Sequence, residues 1–245
     1  MSAFNGQDLG NTAWAFASLG VSNLPLMQAI SPSAMTRLVD LQPQNLTNLA
    51  WAFARIEVRH EQFFQAISAE ALALIGGFGE FNAQNLANTA WAVSALGFLD
   101  MTLLQALAAE SRKKLEAFMP QELSNMAWAM ARFGYSNNPL LAAIASAALR
   151  KLKELNCQDM SNIAWAFATL EKYDHPLRES ISEAARSNIS EFNSQDLSNM
   201  SWAMANLEVS DAPLLEALSA AARRRMHDFG PQDLSNMAWA YSSMA

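Results

Sequence analysis

The stretch QDLSNMAWAYSSM at residues 232–244 decides the reading of this chain, because it is not unique. QDLSNMSWAMANL stands 37 residues earlier and QDMSNIAWAFATL 37 before that. Working outward, all seven tryptophans belong to the same phrase: Trp14, Trp51, Trp91, Trp128, Trp165, Trp202 and Trp239. Their spacings are 37, 40, 37, 37, 37 and 37 residues. An asparagine stands three residues before each (Asn11, Asn48, Asn88, Asn125, Asn162, Asn199, Asn236), and a glutamine stands seven before (Gln7, Gln44, Gln84, Gln121, Gln158, Gln195, Gln232). A fixed period in this range is the signature of a solenoid. The one long spacing places its three extra residues around GGFG at 76–79, read as a widened loop.

Each repeat reads as two helices. With the glutamine as position 1, Asn5, Asn82, Asn156 and Asn193 precede it as N-caps, and Pro43, Pro120 and Pro231 sit where a first helical residue belongs. Position 2 is Asp, Asn or Glu, an acid or amide in the first turn. Gly20, Gly97 and Gly134 end the first helix. Asn23, Asp100, Asn137, Asp174 and Asp211 cap the second, with Pro25, Pro139, Pro176 and Pro213 in its first turn. The second helix is expected to run toward Phe118, Phe192 or Phe229. No strand alternation is present, and two such helices bury their apolar faces only by stacking on neighbours.

The expected fold is therefore all-α: a right-handed α-solenoid of about seven 37-residue helix-pair repeats, one domain over residues 1–245. Its units are 5–41, 42–81, 82–118, 119–155, 156–192, 193–229 and a partial 230–245. The chain starts near a cap and stops inside an apolar helix, which reads as a segment of a longer protein.

At 100° per residue, positions 3, 6, 7, 10 and 13 of the first helix form an apolar arc, with the Trp at position 8 on its edge as a core residue. Positions 1, 5 and 12 line another face, expected on the concave side. Positions 1 and 5 never change, whereas position 12 is Ser18, Arg55, Ala95, Arg132, Thr169, Asn206 and Ser243. A variable residue beside fixed amides, once per repeat, has the form of a code that reads one base per helical unit. The asparagines are the candidate base contacts together with position 12. Late in the second helices lie Arg112, Lys113, Lys114, Arg150, Lys151, Arg223, Arg224 and Arg225. They are candidate phosphate contacts, although cations at helix C-termini are also favoured by the macrodipole.

Composition bounds the function. The net charge of −7 argues against gripping nucleic acid by bulk charge. No apolar run approaches the ~20 residues of a membrane span. The single cysteine, Cys157, excludes an intramolecular disulfide and a cysteine zinc site. His60, His175 and His227 lack metal-ligand spacing, and GGFG lacks the Lys-Ser/Thr ending of a phosphate loop. The reading is no enzyme, no cofactor, no metal and no small-molecule substrate.

The units PQELSNMAWAMARFG and NCQDMSNIAWAFATLE resemble octotricopeptide repeats over essentially the whole chain. They are also similar to the helical repeats of RAP-domain proteins and of the trypanosomal mitochondrial RNA-editing substrate-binding complex. That resemblance implies sequence-selective binding of single-stranded organellar RNA in processing, stability, editing or translation. It also implies a place in the chloroplast or mitochondrion, with other proteins of an RNA-processing complex as partners. The alternative is an armadillo-like scaffold that holds an extended peptide on Asn and Trp ladders.

Overall fold

A computed structural model describes residues 4–77, 81–207 and 211–244. Among them are thirteen α-helices and no strands. The chain forms two compact units, Met1–Ala117 and Phe118–Ala245.

The first unit holds α1 (Gly6–Ser18), α2 (Leu24–Met35), α3 (Pro43–Arg55), α4 (Glu61–Gly76), α5 (Ala83–Ala95) and α6 (Met101–Lys114). Within it α1, α3 and α5 pack side by side, and α2, α4 and α6 form a second layer. The second unit holds α7 (Pro120–Arg132), α8 (Asn138–Arg150), α9 (Cys157–Thr169), α10 (His175–Ser187), α11 (Ser194–Asn206), α12 (Ala212–Arg224) and α13 (Pro231–Ser243). There α7, α9, α11 and α13 lie in succession, backed by α8, α10 and α12. Each unit is an all-α repeat array of the solenoid kind.

The caps fall where the residue types demand. Asn5, Asn82, Asn156 and Asn193 each accept a backbone N–H from the third helical residue, and the side chain there returns the bond to the cap's own N–H. Asn23, Asp100, Asn137, Asp174 and Asp211 cap the second helices by accepting the N–H of the leucine three residues on, with no returned bond, and His60 caps α4 through Nδ1, which accepts the Phe63 N–H at 3.2 Å. Gly20, Gly97 and Gly134 adopt φ of +68°, +71° and +62° after the first helices. Glu57 and Glu171 occupy the equivalent turn with φ of 58° and 53°, a conformation that costs an L-residue energy.

The second helices end earlier than the sequence suggests. A single 3₁₀ turn follows most of them, at Leu38–Asp40, Leu115–Ala117, Leu152–Glu154, Ile189–Glu191 and Met226–Asp228. That turn delivers the apolar residue behind it, such as Phe118 or Phe192, into full burial. In the longer repeat, α4 itself runs for 16 residues. The rest of the widened loop, residues 78–80, lies outside the described residues, as does the connector segment 208–210.

The core of each unit is aliphatic and aromatic: Leu9, Leu46, Phe53, Phe63 and Phe81 in the first, Leu123, Met126, Ile163, Met200 and Phe192 in the second, all fully buried. Small residues set the helix spacing. A Cβ on Gly10 would stand 3.1 Å from the Asn45 carbonyl oxygen, a tight contact between α1 and α3 that the glycine at position 4 avoids.

Polar contacts fix the stacking register. In the second unit the Ser124 hydroxyl donates to Asp159 of the next repeat at 2.7 Å, Ser161 to Asp196 at 3.1 Å, and Ser198 to Asp233 at 3.2 Å. Each of these carboxylates also accepts the N–H of its own cap residue through its other oxygen. In the first unit Asn85 replaces Asp, and its Nδ2 donates to Gln44 Oε1 at 3.2 Å. Thr47 and Thr89 share a hydroxyl hydrogen bond at 3.4 Å. Burial pushes the Asp159 and Asp196 carboxyls above the usual carboxylate range, against the hydroxyl and backbone donors that favour the anion.

Replacing Glu57 or Glu171 with Gly relieves the left-handed strain and is expected to stabilise the fold by about 0.5–1 kcal/mol, measured by urea unfolding. An unchanged or lowered midpoint would show that the turn carries no strain.

The two buried carboxyls give a signed pH dependence. Because the folded chain holds these protons to higher pH than the unfolded chain, their contribution to stability is full below the unfolded value of 3.8 and falls as pH rises through the folded value. Asp159→Asn with Asp196→Asn keeps the cap, as Asn85 does, and removes that decline. The double variant should be at least as stable as the parent at pH 7, with a flatter profile between pH 4 and 7 in thermal melts. Ser124→Ala, which strips a buried carboxylate of a donor, should cost about 1–3 kcal/mol.

Candidate nucleic-acid interface

The exposed face of each first helix is built from positions 1, 5, 8 and 12. These are i, i+4, i+7 and i+11, one stripe of an α-helix. All seven glutamines at position 1 are exposed. Asn11 is exposed and the other six asparagines at position 5 are half-buried. Two of the glutamines donate along the stripe to the asparagine one turn on: Gln44 to Asn48 and Gln232 to Asn236, both at 2.9 Å.

The tryptophans are not core residues. Trp51, Trp91, Trp128, Trp165 and Trp202 are half-buried, and Trp14 and Trp239 are 48% and 44% exposed. They stand on the amide stripe and pack on one another. In the first unit Trp51 and Trp91 have centroids 6.5 Å apart. In the second, Trp128–Trp165, Trp165–Trp202 and Trp202–Trp239 are 6.3, 6.1 and 5.8 Å apart, with planes tilted by 33°, 39° and 31°. The rings thus make a continuous ladder from Trp128 to Trp239 in the second unit and a packed pair, Trp51 and Trp91, in the first, with tilted planes throughout. Each indole keeps part of its surface exposed.

Position 12 divides into three groups. Asn206 donates to the Ala168 carbonyl of the preceding repeat at 2.8 Å, and the Thr169 and Ser243 hydroxyls bond their own helix backbone. Ala95 is half-buried and apolar, and Ser18 is exposed. Arg55 and Arg132 are exposed, with no ion pair or hydrogen bond among the described residues. They are the charged members of the stripe.

The cations late in the second helices do not act alike. Lys114 donates to the Phe81 carbonyl at 2.7 Å, and Arg225 donates to the Phe192 and Ser190 carbonyls at 2.7 Å. Both tie a repeat to the turn before it. Lys113 pairs with Glu110 at 2.8 Å and holds that carboxyl below its ordinary range. Arg112, Arg150, Arg223 and Arg224 are exposed and Lys151 is half-buried.

Among the described residues no group of three His, Cys, Asp or Glu side chains is arranged to hold a metal ion. Burial pushes the Cys157 thiol up to about 11, with Asp196 and Glu191 adding to the effect, so it stays protonated at neutral pH. No described helix is long and apolar enough to cross a membrane.

A two-helix repeat that shows the same amide pair and ring at every step, with one changing residue beside them, is the organisation of a modular helical-repeat protein. The comparison with family models makes this specific: the family of the RNA-editing substrate-binding complex 6 protein matches residues 1–244, and the chain belongs to that family. No curated protein matches the chain.

The indole ladder yields a graded expectation. Trp165→Ala removes a ring flanked on both sides and should cost about 2–3 kcal/mol, less than a fully buried Trp. Trp239→Ala, at the 44% exposed end of the ladder, should cost less than half of that in the same denaturant titration. Equal costs would overturn the graded ladder, since neither burial nor a second flanking ring would then distinguish Trp165 from Trp239.

Proposed function

We propose that this chain binds single-stranded RNA along the exposed first-helix stripe, as a non-catalytic component of a mitochondrial RNA-editing complex. The observation that carries this reading is the sevenfold stripe of exposed glutamine and partly exposed asparagine and tryptophan with a variable position 12. Membership in the RNA-editing substrate-binding complex 6 protein family supports RNA as the ligand and other proteins of such a complex as partners. Of the two organelles that the octotricopeptide resemblance implies, family membership favours the mitochondrion.

The division of labour follows from chemistry. Amides of Gln and Asn both donate and accept, which suits the edges of unpaired bases. Indole surfaces stack on any base. Arg55 and Arg132 offer two parallel donors each and supply selectivity where they stand. Arg112, Arg150, Lys151, Arg223 and Arg224 are the candidates for phosphate. Lys114 and Arg225 are tied to carbonyls, so their removal tests stability as well as binding.

A randomised single-stranded RNA pool bound at two salt concentrations separates these roles. Arg132→Ala should relax base preference at one position, at a cost of ~1–3 kcal/mol for the preferred base. Arg223→Ala with Arg224→Ala should weaken all sequences alike and lower the salt slope by about 1.4, since each phosphate neutralised on a single strand contributes ~0.7. If the parent chain retains no RNA at low salt, the stripe serves an extended peptide instead.

A further inference from the structure

Successive first helices meet through two unlike faces. Positions 4 and 11 lie within ~20° of each other around the helix and turn toward the repeat that follows. Positions 2, 9 and 13 lie within ~40° and turn toward the repeat before. The contacts follow that division: Ser161 at position 4 donates to Asp196 at position 2, and Asn206 bonds the carbonyl of Ala168 at position 11. Inside the second unit both faces are covered. Ser161 and Ala168 are fully buried, as are Ala166 and Ala203 at position 9, and Leu170 at position 13 is 8% exposed.

The outermost first helices, α1 and α13, each show one of these faces to solvent. On α1, Asp8, Ala15 and Leu19 at positions 2, 9 and 13 are exposed, Leu19 by 78%. On α13, Ser235 and Ser242 at positions 4 and 11 are exposed. The polar atoms match the two halves of an internal junction. Asp8 Oδ2 accepts the Asn5 N–H at 2.9 Å, and Oδ1 is the oxygen on which Asp159, Asp196 and Asp233 take a serine. The Ser235 hydroxyl donates within its own helix, to the Pro231 carbonyl at 2.8 Å. The sequence pairs the same two residue types. At the six internal junctions a serine at position 4 is always followed by Asp at position 2 of the next repeat, whereas Gly10, Thr47 and Ala87 are followed by Asn45, Asn85 and Glu122. Ser235 and Asp8 are the one serine and the one aspartate at these positions without a counterpart in residues 1–245.

We infer that α13 of one copy of this chain stacks on α1 of a second copy, with Ser235 donating to the second copy's Asp8 and Leu19 covered in the joint. The contact repeats a junction that the second unit already makes three times. Because its two faces differ it is heterologous, so each copy keeps one face for the next and association continues past a dimer. Neither α1 nor α13 contains a Lys or Arg, so the joint suits another helix and not a phosphate backbone. In this register Trp239 comes beside the second copy's Trp14. These are the two most exposed indoles, and the stripe then runs on from copy to copy. The inference rests on the junction and is independent of RNA binding.

Sedimentation velocity on the chain over a concentration series tests it. The parent should shift to larger species as concentration rises. Leu19→Arg and Ser242→Arg are exposed substitutions at helix ends, where a cation is favoured, and each should hold the chain as a monomer with an unchanged Tm. Mixed in equal amounts, the two variants should form a dimer and nothing larger, since each retains the face that the other has lost. Ser235→Ala should weaken self-association about tenfold, the worth of one hydrogen bond to a carboxylate. A parent that stays monomeric at millimolar concentration would overturn the proposal. So would association that survives in both arginine variants, which would place the contact on the tryptophan stripe, or a mixture that yields no dimer.

Discussion

The second unit depends on one carboxylate used twice. A helix begins with backbone N–H groups that have no partner within the helix. Asp159, Asp196 and Asp233 each return a bond to the cap residue's N–H from one oxygen and take the preceding repeat's serine hydroxyl on the other. Starting a helix and placing it against its neighbour are therefore one event. A slip of one residue along the neighbour would leave a buried anion without its hydroxyl, at a cost comparable to a lost charged hydrogen bond. The ladder of rings and amides on the outer face inherits its alignment from this contact.

Much of the architecture was legible because it rests on local chemistry. Caps such as Asn156 and Asp174 and the turn at Gly97 depend on residues three or four apart, and the 37-residue period repeats them. The Ser–Asp contact was legible too, but only by comparing neighbouring repeats. Ser124, Ser161 and Ser198 at position 4 are each followed one repeat later by Asp159, Asp196 and Asp233 at position 2. Where position 4 is Gly10 or Thr47, the following position 2 is Asn45 or Asn85. Reading each repeat alone conceals that pairing.

The tryptophans show where residue type misleads. Seven residues at 100° bring position 8 back to within ~20° of position 1, so angle alone puts the ring on the amide stripe. Hydrophobicity draws it toward the core. Angle prevails because the contact positions are small: Ala129, Ala166 and Ala203 are fully buried. Helices brought that close leave no room for an indole between them, and the ring rides on the rim against its neighbour. The cations had the opposite fault. Lys114 and Arg225 look like a solvent-facing rail in sequence, and the target that occupies each of them is a carbonyl 33 residues away.

The skew between successive indoles has an optical consequence. Rings with centroids 5.8 to 6.3 Å apart and planes turned by 31° to 39° do not absorb as isolated chromophores. Their transition dipoles couple, and a chain of four turned in steps gives the second unit a chiral excitonic signature in the near ultraviolet that single tryptophans lack. Excitation passes along such a chain before it is emitted, which depolarises the fluorescence. Whatever settles on the stripe and alters one angle changes the coupling on both sides of it, so the protein carries its own spectroscopic reporter of occupancy.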